Sequence, residues 1–245
     1  MTTARIPLFP LNSVLFPGLV LPLNVFEQRY RALMRALLEL PEDERRFGVV
    51  AIRDGREVAP SAPGMPDVTA HTARGAAAGF GAEPMDSFFT VGCTADAATI
   101  REKSDGGFEV LSTGTRRFRL LSVDASGPYL VGETEELDEP EGEGAGALAS
   151  GVLRTFRTYQ KRLAGANERS MAGEQELPDQ PSVVSYLVAA AAELDTPTKQ
   201  RLLEAPTTAA RLAQELKILR AECSVIRSLP SLPAVKLTQQ PTSPN

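Results

Sequence analysis

His71 is the only histidine in the 245 residues, so a histidine-based triad or proton relay has a single candidate. It lies within PSAPGMPDVTAHTARGAAAGFGAEP, a stretch with almost nothing large and apolar to fix a side chain, and it reads as a solvated loop histidine. Asp67 and His71 are spaced closely enough to offer two metal ligands. A zinc shell takes four, and neither Cys93 nor Cys223 is near in sequence to complete it. The two cysteines are far apart and form no C-x-x-C pair, so they read as reduced, partly buried thiols. There is no G-x-S-x-G elbow. The glycine-rich pieces from Gly75 to Gly81 and from Gly142 to Gly146 lack the Gly-Lys-Ser/Thr ending that cradles phosphate. The carboxylates Glu42 and Glu44, or Asp138, Glu139 and Glu141, are near neighbours in sequence of the kind that stay solvated; catalytic pairs need a cleft and shifted pKa values. The expectation is therefore of no catalytic residue, no metal and no cofactor.

One charged cluster has a conceivable task. Arg116, Arg117 and Arg119 stand at the entry to a strand, where outward guanidinium groups could meet carboxylates or phosphates as surface contacts. Arginines spaced this way also keep an exposed strand face soluble.

The elements that would position such groups begin with residues 6–38, IPLFPLNSVLFPGLVLPLNVFEQRYRALMRALL. Pro7, Pro10, Pro17 and Pro22 each remove a ladder donor, which predicts short strands joined by fixed bends, with Pro22 at an edge, a bulge or a first ladder position. Phe16-Pro17-Gly18 is the sharpest bend, and positive φ is expected at Gly18. Phe16, Pro17, Gly18 and Pro22 thus form the structural motif of this segment. Phe26, Tyr30, Leu33, Met34, Leu37 and Leu38 then recur at helical spacing, the stripe of an amphipathic helix lying on a sheet.

Residues 47–52 read as a strand, and residues 58–84 as a long mobile loop, dispensable for folding. Short strands resume at 88–93, 95–103, 108–112, 117–123 and 129–135, separated by turn residues at 104–107, 113–115 and 125–128. An irregularity is expected at Leu120-Leu121. Short strands with tight turns and no crossover helices favour a barrel-like sheet over an open parallel one. The acidic, glycine-rich residues 137–147 read as a linker between a β-rich domain (1–136) and a four-helix bundle (148–228), followed by a flexible tail (229–245). Asp179 and Pro181 open the second helix of that bundle, and Thr196-Pro197 the third.

Hydrophobic residues make up 42% and charged residues 23%, enough apolar side chain for a sizeable core. No apolar run approaches the ~18 residues of a membrane span, and the first residues do not read as a signal peptide, so the expected location is the cytoplasm. The net charge of -5 is unevenly spread. The first 147 residues hold 14 basic and 22 acidic residues, net -8, which makes that half a poor partner for nucleic-acid backbone.

The placement of proline, glycine and apolar residues in PLNSVLFPGLVLPL (Pro10 to Leu23) resembles the amino-terminal substrate-binding domain of the Lon protease family, in a freestanding form. VGCTADAATI (Val91 to Ile100), GGFEVLSTGTRRFRLLSV (Gly106 to Val123) and the DTPTKQRLLE segment from Asp195 extend the resemblance over residues 5–228. It implies an α+β fold: a PUA-like β pseudo-barrel with one packed helix, followed by a C-terminal helical bundle. It also implies a non-catalytic module that recognises unfolded or exposed polypeptide segments, in company with a protease or chaperone system. PUA-like barrels also serve in RNA binding, which is the alternative. The ATPase motor and peptidase unit of the full protease have no counterpart in these residues.

Overall fold

The structure, a computed structural model, describes residues 3–53, 75–81, 83–166 and 178–228. It is a mixed α+β fold with the chain order β1 (Thr3–Leu11), β2 (Val20–Val25), α1 (Gln28–Leu38), β3 (Arg46–Ala51), β4 (Val91–Glu102), β5 (Phe108–Asp124), β6 (Val131–Glu136), α2 (Ala145–Ala166), α3 (Pro181–Ala191), α4 (Thr196–Leu203) and α5 (Thr208–Ser228). The six strands pair in the order β2-β5-β4-β3-β1-β6, and β6 also pairs with β5.

β1 corrects the expectation that prolines divide this region into short strands, because it runs unbroken through Pro7 and Pro10. Its residues 3–7 pair antiparallel with β6, and its residues 8–11 pair parallel with β3. Each half has one partner, so a missing proline N–H does not interrupt a two-sided ladder. β2 is an edge strand bonded only to β5, with Pro22 opposite Leu111.

Residues 113–115, read as a turn, lie inside the seventeen-residue β5. Gly114 serves close approach instead. A Cβ there would stand 2.5 Å from the Phe16 carbonyl oxygen and 3.2 Å from Leu15 Cγ. With that space open, Gly18 N–H donates to the Gly114 carbonyl and Gly114 N–H to the Leu19 carbonyl, both at 2.8 Å. The Phe16-Pro17-Gly18 turn is thereby docked on β5, with Gly18 at φ +81°. β4 accommodates the docking with a register shift between Cys93 and Ala95. A separate register shift, between Leu120 and Ser122 against β6, accounts for the irregularity at Leu120-Leu121.

α1 lays Tyr30, Leu33, Met34 and Leu37 against Phe9, Phe47 and Phe108 of the sheet. Phe26, counted into that stripe, precedes the helix and is 62% exposed. Of the stretch read as a dispensable loop, residues 58–74 and 82 fall outside the described residues, as does the tail 229–245. The described end of the loop packs firmly. Phe80 is buried and meets Phe88 edge-on at 4.7 Å. Arg29 of α1 holds this segment, donating to the carbonyls of Ala76 (3.3 Å) and Ala78 (2.6 Å) while its guanidinium lies 4.9 Å from the Phe80 ring.

Among the helices, Pro181 sits in the first turn of α3, and Asp195 caps α4 by accepting from Thr198 N–H at 2.9 Å. α2, α3 and α5 share a core of Val152, Phe156, Tyr159, Val184, Val188, Leu212, Leu219 and Cys223. A separate cluster joins helices to sheet, where Phe16 and Val91 meet Tyr186, Ala189, Leu202 and Leu203. No helix among the described residues is long and apolar enough to cross a membrane.

Candidate functional site: the cleft between sheet and helices

β5 is buried on both faces where it passes under the helices. Phe118 points into a core with Leu8, Val50, Leu120 and Leu130, and its neighbour Arg117, on the opposite face, is only 3% exposed. This corrects the reading of Arg117 as a surface contact, since strand alternation cannot tell whether a second layer will cover the outer face. Arg117 Nη1 donates to the carbonyls of Leu203 (2.8 Å) and Ala205 (2.7 Å), and Nη2 to that of Asp138 (2.8 Å). Its Nε lies 2.7 Å from Glu139 Oε2, an ion-pair contact without hydrogen-bond alignment.

Glu139 is the centre of the arrangement. Its Oε1 accepts from Arg211 Nη1 at 2.9 Å and from Thr208 Oγ1 at 3.1 Å, and its Oε2 accepts from the Tyr186 hydroxyl. Arg211, on α5 and fully buried, also donates to the Leu202 carbonyl (2.9 Å) and to Ser185 Oγ (3.1 Å), and its guanidinium lies 4.0 Å from the Tyr186 ring centroid. Burial pushes the Glu139 carboxyl up, but the hydrogen bonds from Arg211 and Tyr186 and the charges of Arg211 and Arg117 outweigh it and hold the group below its ordinary value. Burial, partly offset by the same arginines, raises the Tyr186 hydroxyl. The result is one carboxylate shared by two buried arginines, tying β5 to α5 and α3.

The segment read as an acidic linker is fixed by these contacts. Thr208 N–H donates to the Pro140 carbonyl (3.0 Å) and Ala209 N–H to that of Glu141 (2.8 Å), so the chain lies across the start of α5. Gly142, at φ +79°, lets it approach; a Cβ there would stand 2.9 Å from Ala209 Cβ. α2 then begins at Ala145, inside the expected linker.

Beside the network a cleft of about 390 Å³ opens, lined by Pro17, Gly18, Leu137, Ser182, Val183 and Tyr186 with Arg116, Glu136 and Asp138 at its polar side. Pro17 and Gly18 of the structural motif thus reach the cleft, whereas Phe16 is buried behind it and Pro22 lies away on the β2 edge. Arg116 and Arg119 are exposed, as expected, yet each is paired: Arg116 with Glu136, and Arg119 with Glu135 at 3.3 Å. Sequence reading took Glu139 for a solvated carboxylate, which these contacts correct, and it missed Tyr186 and Arg211. The one available signal was Arg211 and Glu215, four apart on a helix whose neighbouring positions are leucine.

The residues that line the cleft include no histidine and no cysteine. Burial pushes the Cys93 thiol up to about 12, which leaves it unreactive. Among the described residues no cluster of histidine, cysteine and carboxylate side chains could hold a metal ion.

Comparison with known proteins agrees with this picture. The Lon protease of Anaeromyxobacter dehalogenans (strain 2CP-C) is 25% identical over 231 residues, which cover 91% of this chain and 24% of that protein. Lon protease 2 of Myxococcus xanthus is 24% identical over 227 residues, again 91% and 24%. The chain therefore spans about a quarter of the length of these relatives. The solved Lon N-terminal domain protein from Xanthomonas campestris shares the fold at TM-score 0.56 and 23% identity, covering 87% of this chain and 98% of that one. The N-terminal domain of the Mycobacterium avium complex Lon protease gives TM-score 0.58 at 17% identity, covering 90% and 98%. The family described as ATP-dependent protease La (LON) substrate-binding domain matches residues 5–221, and the chain belongs to that family.

Proposed function

We propose that this chain holds exposed apolar segments of other polypeptides in the cleft between sheet and helices, with no catalysis of its own. The observation that carries the reading is the cleft's wall. Pro17, Leu137, Val183 and Tyr186 supply apolar surface, and Val183 is 42% exposed. Unfolded chains present apolar side chains that folded proteins bury, so such a wall selects for them. Arg117 and Arg211 brace both sides, so the cleft is formed before any partner arrives.

The same reading takes the sheet as a PUA-like pseudo-barrel, supported by the pairing of β6 back onto β5, with residues 148–228 as a separate helical bundle. Lon protease is the name its curated relatives carry, so delivery of the held polypeptide to a protease is the role this reading assigns. RNA binding draws less support, because Arg116 and Arg119 already face Glu136 and Glu135.

The test is a photoreactive group at Ser182, challenged with an unfolded test polypeptide and with single-stranded RNA as competitor. Crosslinking to polypeptide with a Kd on the order of micromolar, weakened about tenfold by Val183→Asp, is expected. Crosslinks to RNA alone, or none above a control group at exposed Glu141, would overturn the reading.

A further inference from the structure

Every ion-paired arginine of the described residues except Arg211 lies within residues 5–119. The helical part is different. α2 carries Arg154, Arg157, Lys161 and Arg162 and no acidic residue, and α5 adds Lys217 and Arg220. None of these six has a carboxylate partner among the described residues. Like charges four apart on a helix, as Arg157 and Lys161 are, repel each other, so the chain's own packing gives no account of the cluster.

The two helices enclose a notch of about 340 Å³ lined by Arg154, Thr155, Thr158, Arg162, Arg220 and Ser224 around Cys223, with no carboxylate in the lining. Arg162 is held in place by donating to the Cys223 carbonyl at 2.5 Å, a bond that orients the guanidinium without neutralising it. Thr155 and Thr158 donate their hydroxyl protons to the carbonyls of Gly151 (2.9 Å) and Arg154 (3.1 Å). The donors left for a ligand are therefore guanidinium groups.

We propose that this notch binds acidic stretches of extended polypeptide, with Arg154, Arg162 and Arg220 taking their carboxylates. Arg154 and Arg162 are two turns apart on α2, about 12 Å along the axis. Glutamates at positions i and i+4 of an extended chain are separated by about 13 Å and lie on the same side. Phe156 and Tyr159 of α2 are buried, so the face offers no ring from this helix on which bases could stack, and single-stranded nucleic acid fits it less well. The site is separate from the apolar cleft and stands or falls without it.

Fluorescence anisotropy of the full chain with a labelled peptide of alternating glutamate and serine tests the proposal. Binding should weaken about tenfold in Arg154→Gln/Arg220→Gln, more in the matching Glu double variant, and fall steeply as salt is raised. All these side chains are exposed, and an unchanged melting midpoint would show that the variants fold. Arg101→Glu, on the sheet side, should leave binding intact, and so should Val183→Asp. Equal binding by wild type and the double variants would overturn the proposal. So would an oligonucleotide that binds more tightly than the peptide through the same arginines, or concentration-dependent self-association that blocks the notch.

Discussion

Arg117 of β5 and Glu139, just beyond β6, meet at 2.7 Å beneath the helices, and the arginine is almost wholly removed from water. Three backbone carbonyls, those of Asp138, Leu203 and Ala205, depend on the same guanidinium. Removing one partner of such a pair strands the other in a poorly solvated place. Arg117→Ala should therefore destabilise the fold by about 3–5 kcal/mol, far more than loss of a surface ion pair. Arg119→Ala, which breaks an exposed pair, is the control, at under about 1 kcal/mol. Comparable denaturation midpoints for the two variants would refute this account.

Gly18→Val tests the turn. At φ +81° a β-branched residue is strained even though no atom lies within 4 Å of the added Cβ. The expected loss is about 1–3 kcal/mol. An unaltered denaturation midpoint would mean that the turn relaxes at no cost.

Two carboxylates should give opposite pH dependences. Glu139, with its folded value depressed, contributes stability that is present above its unfolded value and lost as pH falls through the folded one. Burial, only partly offset by Arg211, raises Glu215 well above its ordinary value of 4.5, and neither of its oxygens has a hydrogen-bond partner in the structure. Its contribution is full below 4.5 and is lost as pH rises through the folded value. Glu215→Gln should thus raise the melting midpoint at pH 8, and the gain should shrink as pH is lowered toward 4.5. A gain independent of pH, or a loss at pH 8, would contradict this reading.

Phe80→Ala addresses the end of the segment taken for a free loop. A buried ring stacked edge-on against Phe88 and lying beneath Arg29 should cost about 3–5 kcal/mol on truncation. If the protein unfolds at the wild-type midpoint, residues 75–81 contribute nothing to its stability.

Local chemistry made several elements legible in advance. Pro181 and Thr196-Pro197 announced helix starts that need no tertiary context, although the cap of the latter is Asp195, one residue earlier, and Gly18 announced its own positive φ. Gly114 was misread because a glycine permitting backbone contact looks the same in sequence as one permitting a turn. Arg117 was misread for a related reason: alternation separates two strand faces, yet a helix arriving some ninety residues later decides which face stays wet. The network around Glu139 draws on residues 117, 139, 186, 208 and 211, a separation at which no spacing rule operates.

β1 divides its length between β6 and β3, and that division bears on how the chain assembles. Thr134 Oγ1 donates to the Ala4 carbonyl across a separation of 130 residues, and the β1–β6 ladder closes the same interval. Such distant pairing pays loop-closure entropy before it gains any contact, which slows folding relative to helices that find their neighbours nearby. During synthesis the first strand must therefore wait, half of it unpaired, until β6 has emerged. Pro7, which lies in that half and weakens it as a template for pairing with other chains, protects it through that interval.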